Sequence, residues 1–111
     1  MAIQNTAIPG SSSPTTIYTS SGETAITTLI FCNTNAFNPA LPADNTIQLT
    51  LHVIPFGGSR SNTNMILKAM PIPAGETFTF DTEKVVLDNG DFLVALADNS
   101  NLSATISYMS V

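Results

Sequence analysis

The sequence predicts an all-β fold: a small antiparallel β-sandwich, jelly-roll or immunoglobulin-like, of seven to eight strands. Three observations lead there. From Pro14 onward, short segments alternate apolar and polar residues with a period of two. Turn signals rich in Gly, Pro, Asn, Asp and Ser separate them at the spacing of a sandwich or barrel. No segment of helical length carries a helical period. The chain divides into an N-terminal arm, residues 1–13, and a sandwich domain, residues 14–111.

The arm ends in "GSSSP", a run of turn formers closed by a proline. Besides Met1, its large anchors are Ile3 and Ile8. Such a segment either frays as a terminus or orders against a partner, so both isoleucines are candidate partner contacts. "TTIYTS" is the first strand and "SSGE" its turn. "TAITTLIFCN" is the second, dense in β-branched residues. Strict alternation puts Ile26, Thr28, Ile30 and Cys32 on one face and Ala25, Thr27, Leu29 and Phe31 on the other. Both faces are partly apolar, which predicts cover on both sides. "TNAFNPALPADN" is a long connection whose prolines break pairing.

"TIQLTLHVIP" has the cleanest alternation, with Ile47, Leu49, Leu51 and Val53 opposite Gln48, Thr50 and His52. The loop "FGGSRSNTN" follows and reads as a flexible hairpin tip. "MILKAM" is a short strand stopped by "PIPAGE". "TFTFDT" puts Phe78 and Phe80 on one face; "KVVL" and the Asn-Gly turn "DNGD" come next. "FLVALA" and "LSATISYMSV" are the last two strands, joined by "DNSN". Gly-Glu-Thr occurs before two strands, at 22–24 and 75–77, and reads as one turn chemistry used twice.

Composition narrows the function classes. A chain of 111 residues forms one domain with a usable core. Cys32 is its single cysteine, so no internal disulfide forms, and with His52 it makes too small a set for a zinc site. The net charge is −5 and the cations are Arg60, Lys68 and Lys84, which leaves no basic footprint for nucleic acid. No apolar run approaches the roughly 18 residues of a membrane helix. "MAIQNTAIPG" lacks the basic and apolar regions of a signal peptide. Only 10% of residues are charged. A surface of hydroxyls and amides packs against neighbours without desolvating many ions, as life in an assembly requires.

The segment Asp81–Asp91 concentrates Asp81, Glu83, Lys84, Asp88 and Asp91. Its carboxylates could hold a hard cation such as calcium, but the alternating oxygen ligands and terminal Glu of a calcium loop are missing. The other reading is a solvated end of the sandwich, with Asp side chains accepting backbone N–H bonds in turns. A glycosidase pair would need a cleft that a chain without Trp does not provide. His52 could serve as a general base, but no acid lies in its strand and no nucleophile elbow exists; it is expected at the surface or an interface. Cys32 is expected to be a small buried hydrophobe. "FGGSRSN" lies between strands, so it does not open a helix as a phosphate loop does. Arg60 at its tip is a candidate contact, as arginine is favoured at interfaces. Phe37 and Phe56, both in predicted loops, are the other candidates.

Four segments carry a resemblance: "TAITTLIFCN", "TIQLTLHVIPFGGS", "IPAGETFTFDTEKVVLDNGD" and "LSATISYMSV". Over roughly residues 17–111 the chain resembles small structural proteins of tailed bacteriophages, including those of cyanobacteria. The resemblance implies a minimal β-sandwich and brings no catalytic residues; no cofactor and no metal ligand is assigned in this sequence. It implies a virion protein, assembled in the host cytoplasm. The expected role is capsid decoration or cement, with a tail, baseplate, neck or fibre component as the alternative. The partners it implies are the major capsid protein or other virion proteins and further copies of the chain, with a trimer a common solution for cement. A host-glycan-binding module is the rival class, and its platform would draw on Tyr18, Tyr108, Phe37 or Phe56.

Overall fold

The computed structural model describes residues 2–80 and 85–111. Among them are nine strands: β1 (Ala2–Ile8), β2 (Thr15–Thr19), β3 (Thr24–Asn33), β4 (Ile47–Ile54), β5 (Met65–Ile72), β6 (Thr77–Phe80), β7 (Val85–Leu87), β8 (Phe92–Ala97) and β9 (Leu102–Ser110). One sheet runs β1-β9-β3-β6, with β7 also paired to β3; the other runs β2-β8-β4-β5. All pairs are antiparallel. With β6 and β7 counted as one strand position beside β3, this order is that of a jelly roll, two Greek keys folded into a sandwich.

Eight of the nine strands coincide with the period-two segments. The exception is β1, which the sequence assigns to an arm. Ala2 through Ile8 pair with Tyr108 through Leu102 without a shift, so the segment is a strand of the first sheet. Ile8 is 2% exposed and belongs to the core. The boundary at Pro14 therefore separates two strands rather than an arm from a domain.

The core lies between the sheets. Ile47, Leu49 and Leu51 of β4 meet Leu29 and Phe31 of β3, with Leu93, Ala95 and Ala97 of β8 and Leu102, Ala104 and Ile106 of β9 around them. Burial of these branched side chains supplies the main driving force. Strict alternation fails in β3. Its register against β9 shifts between Ile26 and Thr28. The bulge at Thr27 is held by Thr27 Oγ1, which donates to the Ser107 carbonyl at 3.0 Å. One extra residue moves every side chain before it to the opposite face. Thr24 and Ile26 thus join Leu29, Phe31 and Asn33 inside, while Ala25, Thr28, Ile30 and Cys32 face out. Cys32 is consequently half-buried on the outer face, not a core residue.

Candidate partner interface

Of the predicted contact residues, Phe37, Phe56 and Arg60 lie at the two ends of the sandwich and Ile3 lies on a sheet face. Ile8 is buried in the core and so is no surface contact. Each end is tied together by a different side chain. At one end lie the loop after β4, the β2–β3 turn and the β7–β8 turn. Asp91 joins two of them: Oδ1 accepts from Phe56 N at 2.9 Å and Oδ2 from Asp88 N at 2.9 Å. Asp91 N closes the turn on Asp88 O at 3.1 Å, and Ser20 exchanges backbone bonds with Asp91 and Gly90. Gly90 has φ of 89°, a left-handed conformation that favours glycine. A Cβ on it would sit 2.5 Å from Phe56 Cδ1. The Phe56 ring therefore lies over the turn with 78% of its surface exposed.

"DNGD" is thus a structural corner that fixes an exposed aromatic. Asp91→Ala is expected to cost about 1–2 kcal/mol through two lost charge-assisted bonds. The check is a lower urea midpoint with faster hydrogen exchange at the Phe56 and Asp88 amides; unchanged exchange at both would contradict it. Asp81, Glu83 and Lys84 lie outside the described residues. Among the described residues no group of three or more His, Cys, Asp or Glu side chains could hold a metal.

The loop carrying Arg60 is organised by Asn64. Asn64 Oδ1 accepts from His52 Nδ1 at 2.8 Å and from Ser61 N at 3.1 Å, while Nδ2 donates to Ser59 O at 2.9 Å. Since that oxygen only accepts, His52 carries its proton on Nδ1. The loop also folds back over Ile54, whose Cγ2 lies 3.2 Å from the Cβ direction of Gly58. His52 and Ile54 are thereby buried on the outer side of their sheet. The sequence-based expectation of a surface histidine is corrected: the covering loop, invisible to strand alternation, removes it from solvent. Arg60 itself is exposed.

At the opposite end, Asn33 is fully buried and ties three loops. Its Nδ2 donates to Asn45 O at 2.9 Å and Ile72 O at 2.8 Å. Its Oδ1 accepts from Asn35 N and Asn35 Nδ2, each at 3.0 Å. Asn35 in turn bonds Ser100 and Asn101 of the β8–β9 turn. Phe37 is exposed in this end's long loop. Because β4 runs from one end to the other, Phe37 and Phe56 are at opposite ends. Tyr18 is buried, its ring tilted at 43° against Tyr108 with centroids 4.7 Å apart, and its hydroxyl is bonded to Thr24. The four aromatics proposed for a glycan platform are not brought together.

A third surface was not anticipated. On the outer face of the first sheet, Val86 and Met109 flank Ala25 in direct register, with exposures of 60% and 41%. Ile3, 68% exposed, lies on the same face opposite Ser107, one diagonal position from Met109. The other outward residues of the described strands here are Ala, Ser, Thr, Asn, Ile and Cys, with no formal charge among them. The signal was present in the sequence as alternate positions of β1, β3, β7 and β9, but the bulge at Thr27 had to be known to collect them. On the second sheet a shallow depression of about 210 Å³ is lined by Ser12, Gln48, Thr50, Ala69, Leu96 and Asp98. Internal bonds already engage Gln48 N with Asp98 and Ala69 N with Thr50.

The chain matches no protein-family model and no curated protein. Among the described residues no helix is long and apolar enough to cross a membrane.

Proposed function

We propose that this chain is a non-enzymatic structural protein of a phage particle, and specifically a capsid decoration or cement protein that clamps neighbouring capsid subunits. The observation that carries the reading is the outer face of the first sheet, which carries no charge among the described strand residues and exposes Ile3, Val86 and Met109. A broad face without ions can be covered by a neighbour with little desolvation cost. The resemblance of four segments to tailed-phage structural proteins supplies the context. The jelly-roll order is in keeping with it, since capsid domains use this architecture, although lectin domains do too.

Phe56 and Arg60 at one end and Phe37 at the other are the further contacts on this reading. Each copy would bury modest area, and many copies on one lattice would add their contributions through multivalency. The partner is the major capsid protein or another virion protein. Cryo-EM of the intact particle tests the proposal. Density for this chain is expected on the capsid surface, contacting at least two capsid subunits. Density confined to the tail, baseplate, neck or fibre overturns the decoration role in favour of the alternative component.

A further inference from the structure

One edge of the first sheet is a strand unlike the two edges of the second sheet. β5 is an interrupted edge: its register against β4 shifts twice, Ala69 has φ of 49°, and Lys68 and Pro71 lie within it. β2 has five residues with a shift between Thr16 and Tyr18, and the Ile17 carbonyl already accepts from Gln4 Nε2 at 2.8 Å. Bulges, charges, prolines and shortness are the devices that keep edges from pairing with other chains. β1 has none of them. It is seven residues long, pairs with β9 without a shift, and contains neither a charge nor a proline. Among the described residues nothing pairs with its second edge.

We propose that β1 is a self-association edge: two copies pair β1 with β1 antiparallel about a twofold axis through Asn5, making one sheet continuous across both. The occupant is a second copy for two reasons. First, the strand is self-complementary in this register, with Ile3 facing Ala7 of the other copy, Gln4 facing Thr6, and Asn5 facing Asn5, as an isologous contact demands. Second, the chain has net charge −5, so copies repel except where the approaching surfaces are neutral, and the described residues of β1 and of the neighbouring β9 carry no charged side chain. Main-chain hydrogen bonds across the edge give affinity, as in strand addition generally. Ile3 is exposed on the face that the pairing extends, so the apolar positions of both copies come onto one surface. The inference does not depend on the phage reading and stands or falls separately.

Charge exchange at Asn5 tests it. Asn5 is exposed, and its Oδ1 makes one exposed bond with Thr105 Oγ1, so substitution leaves the core alone. Sedimentation equilibrium of the full chain is expected to show a monomer–dimer system. N5K and N5E each put like charges opposite one another at the axis and are expected to weaken the dimer about fivefold. An equimolar mixture of N5K and N5E should recover wild-type affinity or better. Thermal melting of each variant reports that it is folded. A wild-type monomer up to about 100 μM, where a physiological dimer would form, overturns the proposal. So does a trimer, a dimer insensitive to both variants, or failure of the mixture to recover. A dimer in solution and density only on the tail would leave this inference standing while removing the decoration role.

Discussion

Replacing Phe31 with alanine is expected to destabilise the protein by about 3–5 kcal/mol, a large part of the roughly 5–15 kcal/mol available to a domain. Phe31 is the largest of the fully buried side chains. It sits in β3 opposite Ala104 of β9 and Phe78 of β6, so its ring fills the middle of the first sheet's inner face. The cavity left by truncation is flanked by strands paired on both sides, which limits collapse. Cys32 is the internal control. It is the next residue along, in the same ladder, but faces out and is half-buried. Cys32→Ala is expected to stay within about 1 kcal/mol. Urea unfolding of both variants reads the difference, and equal midpoints would refute the assignment of Phe31 to the inner face and Cys32 to the outer.

Asn33→Leu is expected to cost a comparable amount, about 3–5 kcal/mol, for a different reason. Leucine matches the shape of asparagine but neither donates nor accepts. The carbonyls of Asn45 and Ile72 lose their side-chain donor and the Asn35 amide loses its acceptor. A buried polar group deprived of its partner carries the full desolvation penalty, whereas the bond it loses is worth only about 1 kcal/mol net. The expected fall in melting temperature is on the order of 10–20 °C. Amide exchange separates the cause from general weakening: Asn35 and Gly75, the latter bonded to the Asn33 carbonyl, should open before the core strands. Asn33→Asp should also destabilise, because a carboxylate keeps the acceptor but faces two carbonyls with no donor. The functional consequence is that the loop holding Phe37 would lose its anchor.

Strands were legible where neighbouring residues differ in polarity. β4 and β9 were plain from Ile47, Leu49 and Leu51 and from Leu102, Ala104 and Ile106, because one face of each is apolar and the other polar. β1 was not, because the positions sharing a face with Ile8 are Ala2, Gln4 and Thr6, none a large apolar residue, so its alternation carries little apolar signal. Its identity as a strand comes from pairing with residues about a hundred positions away. The same holds for the candidate contacts. Phe37, Phe56 and Arg60 are placed in loops by local composition and are exposed there, and Ile3 is exposed too. Ile8 was misplaced with the arm, and Val86 and Met109 were missed because their shared face exists only once β7, β3 and β9 are aligned.

The chain's alternation of apolar and polar residues, its turn formers and its lack of helical periodicity determined the all-β class and eight strand positions. These are local properties, set by residues one to four apart. Tertiary structure alone decided the jelly-roll order, the bulge at Thr27 that exchanges the faces of β3, the burial of His52 beneath its own loop, and the seating of Phe56 on Gly90 by Asp91. Each depends on hydrogen bonds and contacts between segments far apart in sequence, and a side chain's burial is settled by what covers it, not by its own polarity.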